Sequence, residues 1–434
     1  MGKCFIRTTV IDPEQSKSVN LKVNSLSQKQ NVLVIGAHLS HGISIIRSMG
    51  EKGFNIHTVG DHKSSPGFKS KYIRRYYYFP YRTENWDDEH LLPIFKKIIE
   101  EDSISYVFCV EERLITFFNG FRKEFSETVS FLIPPQNKFE YALLKEKTID
   151  LFDQCGLSYP KSVVISDGKE LVNCKNLRYP VILKQSYKFP ISFKNKIAQQ
   201  KVTGRTPISD FDELQMINES IVHRGTMIVQ EFIDGKEGSV MFVAKNGDLQ
   251  TAIESEYTAE ILKGLSIARK TVSIDSRLVD LCQRVCKTIE WNGIGGLDFI
   301  KTKDNSYFFF EFNGRFTAST NLGLKVGIDL PALHFNSFQN KSVQPLICGY
   351  PSDYHDATLS GLTWWLLYVL SGRRKYSGGR LAAIGYYFSF FINPKRRFDL
   401  LSIDDPMPGI VQIVGILLKP LALLKIGMRR LIGA

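Results

Sequence analysis

The sequence has no apolar run long enough to cross a bilayer. Its longest runs, Trp364–Leu370, Leu381–Ile392 and Ile410–Leu418, fall short of the roughly 20 residues a spanning helix needs. It lacks a Cys-x-x-Cys pair, and no histidine cluster at zinc spacing accompanies its 7 cysteines. Neither a zinc module nor a disulfide framework is therefore expected, and the compartment reads as reducing, hence cytoplasmic. Cys282 and Cys286 share a helical face with Leu278, Leu281, Val285 and Ile289, which predicts core packing rather than metal ligation. No Ser/His/Asp signature is present. Residues 1–30 form a polar leader without the apolar core of a secretory signal, and Ile6 stands where a myristoylation motif wants Ser or Thr.

What is there is ordinary in proportion. Of 434 residues, 43% are hydrophobic and 23% charged, which excludes low-complexity and polytopic-membrane classes and suggests two or three domains. The net charge is +12, and residues 371–434 alone carry eleven Lys/Arg against three Asp. Phosphates or anionic lipid suit such a balance, whereas nucleic acid is disfavoured because no binding module accompanies it. Within 409–434 the only charges, Lys419, Lys425, Arg429 and Arg430, stand among Ile, Leu and Val. That pattern predicts contact with a membrane surface at the inner face, or docking on the core.

Asn31–Ile35 reads as a buried strand, followed by a glycine turn, Gly36 to Gly42, and a helical pattern ending at Gly53. A strand at 55–59, a helix at 91–100 and a strand at 104–110 continue the alternation, so a parallel sheet with crossovers is expected over 31–130. The glycine turn invites a nicotinamide-binding reading, but His38 occupies the second glycine position of G-x-G-x-x-G and Asp61 lies too far on. From 131 the texture changes: a helix from Lys138 to Gln154, strands at 162–165 and 181–184, and a basic stretch at 185–207 with Lys188, Lys194, Lys196, Lys201 and Arg205. A helix at 211–223 and a strand at 227–233 follow. The basic stretch predicts a mobile lid.

The most informative segment runs from Gly295 to Arg315. Two apolar runs flank a polar turn, the pattern of a β-hairpin. With Asp304 and Asn305 as its loop, Asp298 falls opposite Glu311, and Asn313 shares their face. Two opposed carboxylates are destabilising unless a cation lies between them, and two carboxylates with an amide suit Mg²⁺. A solvated face with Arg315 as counter-ion accounts for the hairpin equally well.

Glu311-Phe-Asn313-Gly-Arg315, thirteen residues after Asp298, resembles the metal-binding end of the ATP-grasp family. Lys145, eleven residues before Gly156, and Lys184, closing Tyr179-Pro-Val-Ile-Leu-Lys184, are similar to the family's two phosphate-contacting lysines. Gln230-Glu-Phe-Ile-Asp-Gly-Lys-Glu237 resembles the adenine hinge. The resemblance covers roughly residues 31–340. It implies an α/β chain, with an N-terminal parallel-sheet domain (31–130) ahead of an ATP-grasp domain (131–340) of two α+β subdomains. A lid subdomain would span 158–232, with a basic, hydrophobic region at 341–434 matching no known fold. It further implies ATP and Mg²⁺, or Mn²⁺ in its place. Asp298, Glu311 and Asn313 would hold the metal and Lys145 and Lys184 the phosphates. Backbone at Glu231, Phe232 and Ile233 would meet adenine, Glu237 the ribose, and Arg315 phosphate or a carboxylate.

Gly264–Arg269 and the Phe316–Pro331 segment resemble ATP-grasp proteins of polysaccharide and cell-surface biosynthesis, in which Arg269 would bind an anion. Departures accompany the likeness: residues 185–203 contain no glycine, and Gly314 stands where Pro is usual. The activity implied is a carboxylate–amine ligase working through an acylphosphate on small-molecule substrates. An NAD(P)-binding oxidoreductase and a non-catalytic, membrane-associated nucleotide binder are the alternatives.

Overall fold

The computed structural model describes residues 30–82, 87–187, 207–221, 226–260, 266–339, 349–373 and 375–418. The basic stretch at 188–206 and the end at 419–434 lie outside them. The N-terminal part alternates as the sequence implies: β1 (Asn31–Ile35), α1 (Ser40–Glu51), β2 (Asn55–Gly60), β3 (Ile73–Tyr78), α2 (Asp88–Glu101), β4 (Ile104–Cys109), α3 (Glu112–Gly120) and β5 (Ser130–Phe131). The strands form a parallel sheet in the order β3-β2-β1-β4-β5, so its direction of winding reverses between β1 and β4. Val32 to Ile35 are fully buried because helices cover both faces, which is why β1 reads as an unbroken apolar run.

The helix expected from Lys138 to Gln154 is two helices, α4 (Gln136–Leu143) and α5 (Lys145–Gln154). Leu144 between them is extended (φ −104°, ψ 117°) and pairs with Tyr187. A helical pattern in sequence does not register such a break, since the bond that competes for Leu144 comes from more than forty residues away. The break puts Lys145 at the start of α5, where a cation is disfavoured by the helix dipole. A small antiparallel sheet follows, from β6 (Ser162–Ile165), β7 (Val181–Gln185), α6 (Phe211–Ile221) and β8 (Met227–Glu231), in the order β6-β8-β7.

The largest sheet takes β9 (Lys236–Lys245), β10 (Asp248–Glu260), β11 (Ser266–Thr271), β12 (Gly293–Lys301) and β13 (Tyr307–Asn313), with α7 (Ser276–Thr288), α8 (Thr320–Lys325) and α9 (Leu330–Ser337) packed around it. Cys282 and Cys286 lie fully buried on α7, as core rather than ligands. The late region extends the same sheet. β14 (His355–Ala357), α10 (Leu359–Leu370), α11 (Gly379–Ile392) and β15 (Arg396–Phe398) complete the strand order β13-β12-β9-β10-β11-β14-β15. Residues beyond β15 return to the first sheet: Arg47 of α1 donates to Asp405 (3.0 Å) and to the Leu400 carbonyl (2.8 Å), and Asp405 also accepts from Ser70 and the Lys71 amide. Among the described residues no helix is long and apolar enough to cross a membrane.

Candidate active site

The hairpin β12–β13 places Asp298 and Glu311 directly opposite each other. Its loop is not the two residues expected, because Lys301 pairs with Tyr307 and residues 302–306 form the turn. Asn305 there adopts φ +63°, and its amide bonds to the Thr302 carbonyl at 3.0 Å. A bulge at Phe310 then shifts the ladder by one and restores the carboxylate pairing. The bulge also changes which side chains share a face. Phe309 and Phe312 both enter the core, while the consecutive Phe310 and Glu311 both turn towards Lys184, whose ammonium lies 5.0 Å from the Phe310 ring centre.

Asn313 is buried and donates its amide nitrogen to Asp298 at 3.1 Å, which leaves its carbonyl oxygen as an acceptor. Tyr257 of β10 donates to the other Asp298 oxygen at 3.3 Å. Two carboxylates and an amide oxygen form a hard donor set that fits Mg²⁺, with remaining positions for ligand oxygens. Among the described residues no group of three or more His, Cys, Asp or Glu could hold an ion. A metal here would therefore depend on such ligand oxygens.

Lys184 faces this pair from β7. Its pKa is pushed down to about 8 by desolvation, against the pull of Glu311, Glu237 and Asp298 and with Lys145 adding to the depression. Gln230 accepts from its ammonium at 2.7 Å and is itself held by Ser162. The structure thus brings Lys145, Lys184, Glu237, Asp298, Glu311 and Asn313 into one neighbourhood. At the hinge, the Glu231 amide bonds to the Lys161 carbonyl (2.9 Å) and the Phe232 amide to that of Pro180 (3.0 Å). Both donors hold the strands, and the carbonyls of this segment are separate groups from these amides.

Ile233 and Glu237 line a cavity of about 280 Å³ whose far wall is Trp365, Lys375 and Tyr376 of the C-terminal region. Arg315 turns to the N-terminal sheet, its Nε 3.1 Å from the Glu112 carboxylate, and that pair together with Glu311 holds its guanidinium charged despite burial. Arg269 is buried, with 3.5 Å contacts to Ser319 and the Ser266 carbonyl, and its Nε has no hydrogen-bond partner among the described residues. Sequence reasoning missed Tyr257, Gln230 and the C-terminal wall.

Two α/β sheets and a small third sheet, meeting at a cleft with opposed carboxylates on one wall and lysines on another, define a class of nucleotide-handling folds. Residues 181–319 match the family model of the ATP-grasp domain. The coenzyme gamma-F420-2:alpha-L-glutamate ligase of Methanococcus maripaludis is 26% identical over 231 residues, 50% of this chain and 74% of that protein. The L-amino acid ligase from Bacillus licheniformis superposes with a TM-score of 0.55 at 13% identity, covering 74% of this chain and 80% of the other. N5-carboxyaminoimidazole synthetase from Staphylococcus aureus does so with a TM-score of 0.58 at 13% identity, covering 81% and 87%. Residues 181–319 thus match an ATP-grasp domain, and the described chain shares the fold of these ATP-grasp structures. ATP and Mg²⁺ are the cofactors of that family.

Proposed function

We propose that this protein is a Mg²⁺-ATP-dependent ligase that joins a carboxylate to an amine. The observation that carries the reading is the register of Asp298 opposite Glu311, with Lys184 facing both across the cleft. Asp298, Glu311 and Asn313 would hold the metal, which supplies charge neutralisation during phosphoryl transfer. Lys145 and Lys184 hold the phosphates, backbone at Glu231, Phe232 and Ile233 meets the adenine, and Glu237 takes the ribose hydroxyls. The substrate carboxylate attacks the γ-phosphate to give an acylphosphate with ADP as the leaving group, and Arg315 orients the phosphate or that carboxylate. The amine opens that intermediate with loss of phosphate. The named activities of the Methanococcus and Bacillus relatives support this reaction class. An ADP-release screen of carboxylates, including amino acids and uronic acids, against pooled amines tests it; no ADP from any pair, with Mg²⁺-ATP bound, would sink it.

A place at the inner membrane face, in the cytoplasm, is part of the same proposal. Leu381, Phe388, Phe391 and Ile392 of α11 and Ile410, Val414, Leu417 and Leu418 beyond it are exposed, next to the basic excess of this region. Co-sedimentation with anionic vesicles should fall when residues 409–434 are removed, and equal pelleting with and without them would leave only docking on the core. A role in cell-surface polysaccharide or peptide-like metabolite assembly fits that location.

A further inference from the structure

The turn at which the first sheet reverses its winding holds buried polar groups with no hydrogen-bond partner among the described residues. His41, in the first turn of α1, is 9% exposed, and neither ring nitrogen has a hydrogen-bond partner. The same is true of His38, two residues before that helix. Its side chain is 6% exposed, and its Nε2 stands 3.8 Å from the Glu111 carboxylate, beyond hydrogen-bond reach. Buried unpartnered polar groups are rare because each costs about 1–3 kcal/mol. Four such nitrogens on adjacent turns require a reason.

The surroundings are short of negative charge. No side chain caps α1, a helix of twelve residues whose positive end opens here. Arg315, Arg269 and Arg82 all act on His41 and, with burial, push its pKa well down. The nearby carboxylates are already engaged: Glu111 accepts from Tyr81 and pairs with Arg82 at 2.9 Å, Glu112 pairs with Arg315, and Asp61 accepts from the Arg82 amide. Glycine makes the turn possible. Gly36 has φ +116°, and a Cβ on Gly42 would stand 2.2 Å from the Gly36 carbonyl. In parallel sheets, ligands settle outside the carboxyl ends of strands at such a reversal. Arg315, which acts on His41, is itself within electrostatic reach of Glu311 and Asp298, so it links this turn to the carboxylate pair of the hairpin.

We propose that His38, His41 and Arg82, at the N-terminus of α1, bind a second anionic group of the acid substrate, a carboxylate or a phosphate. The substrate class is then a short acid with two acidic groups, one presented to Arg315 for reaction and the other held at this turn. The word substrate rests on the ligase reading; the anion site does not.

Calorimetry on the full chain, with Mg²⁺ and a non-hydrolysable ATP analogue filling the nucleotide's own phosphate sites, tests the assignment with glutarate, butyrate and inorganic phosphate as probes. Glutarate, phosphate or both should bind, and butyrate should bind at least tenfold more weakly. Glutarate alone identifies the second group as a carboxylate, and phosphate alone as a phosphate. His38→Gln with His41→Gln should weaken the anion that binds at least tenfold and leave the nucleotide affinity unchanged. Arg82→Gln, at a half-exposed side chain, should give the same loss, with folding checked by its melting curve because Arg82 also pairs with Glu111. Glutarate and butyrate binding alike, or anion affinity unaltered in these variants, would overturn the proposal. Anion binding without any Mg²⁺-ATP binding would overturn the ligase reading and leave this site standing.

Discussion

The two walls of the cleft carry opposite electrostatic excess. On the hairpin wall, Asp298 and Glu311 are held opposite each other, with Asn313 and Tyr257 as hydrogen-bond donors to Asp298. On the N-terminal wall, His38 and His41 offer ring nitrogens with no partner, beside arginines. Each arrangement is costly in the free protein, and each becomes favourable once a group of the opposite sign arrives. A site built for charged ligands is thus visible as unspent interaction on both sides. The hairpin wall asks for a cation and the other for an anion.

The largest expected effect breaks the first wall. Glu311→Gln should lower ADP release by about a hundredfold or more, since the metal stabilises charge developed in the transfer. The apo protein should melt at the same temperature or slightly higher, because a carboxylate repulsion is gone. A folded variant with full activity would remove the metal assignment.

Next in size is the clamp that ties the C-terminal region to the N-terminal wall. Asp405→Ala leaves the Arg47 guanidinium buried without its carboxylate and should cost about 3–5 kcal/mol in denaturant titration. A loss under 1 kcal/mol would mean that this wall stands without its clamp.

Acid should weaken the junction between the sheets. His334 accepts from the Ile294 amide (2.9 Å) and contacts the Leu132 carbonyl (3.0 Å), and its pKa is pushed down to about 4 by burial. Both folded and unfolded chains hold it neutral above pH ~6.5, but below that only the unfolded chain gains the proton. Stability should therefore fall as pH drops from about 6.5 to 4, by up to roughly 3 kcal/mol from this group. A flat profile over that range would count against a neutral buried His334.

Smaller is the response of Lys184, whose folded pKa of about 8 lies below the ordinary lysine value. As pH rises from 8 to about 10.5 the folded chain gives up the proton first, so this group's unfavourable contribution to stability is relieved. Mg²⁺-ATP affinity should decline over the same range, by about tenfold or less, in titrations at pH 7 and 9. Smallest is Asn305→Gly. The loop residue sits at φ +63°, so the hairpin should gain a few tenths of a kcal/mol at most.

The hairpin was legible because its partners are neighbours in sequence, although the reasoning succeeded through two deviations that cancel. The loop is longer than Asp304-Asn305, and the bulge at Phe310 compensates. The two lysines were legible only by family likeness. Nothing local marks Lys184, and Lys145 lies at a helix start that the apolar pattern runs straight through.

By itself the sequence determined the parallel N-terminal alternation, the core role of Cys282 and Cys286, and the opposition of Asp298 and Glu311. All three follow from periodicity or from pairing at short range. Only the tertiary structure decided that His38 and His41 lack partners, that Trp365 and Tyr376 wall the cavity beside Glu237, and that Arg47 locks onto Asp405. The physical reason is distance along the chain. Burial and hydrogen-bond satisfaction depend on segments that meet only after folding, and no local pattern records whether a polar group will find its partner there.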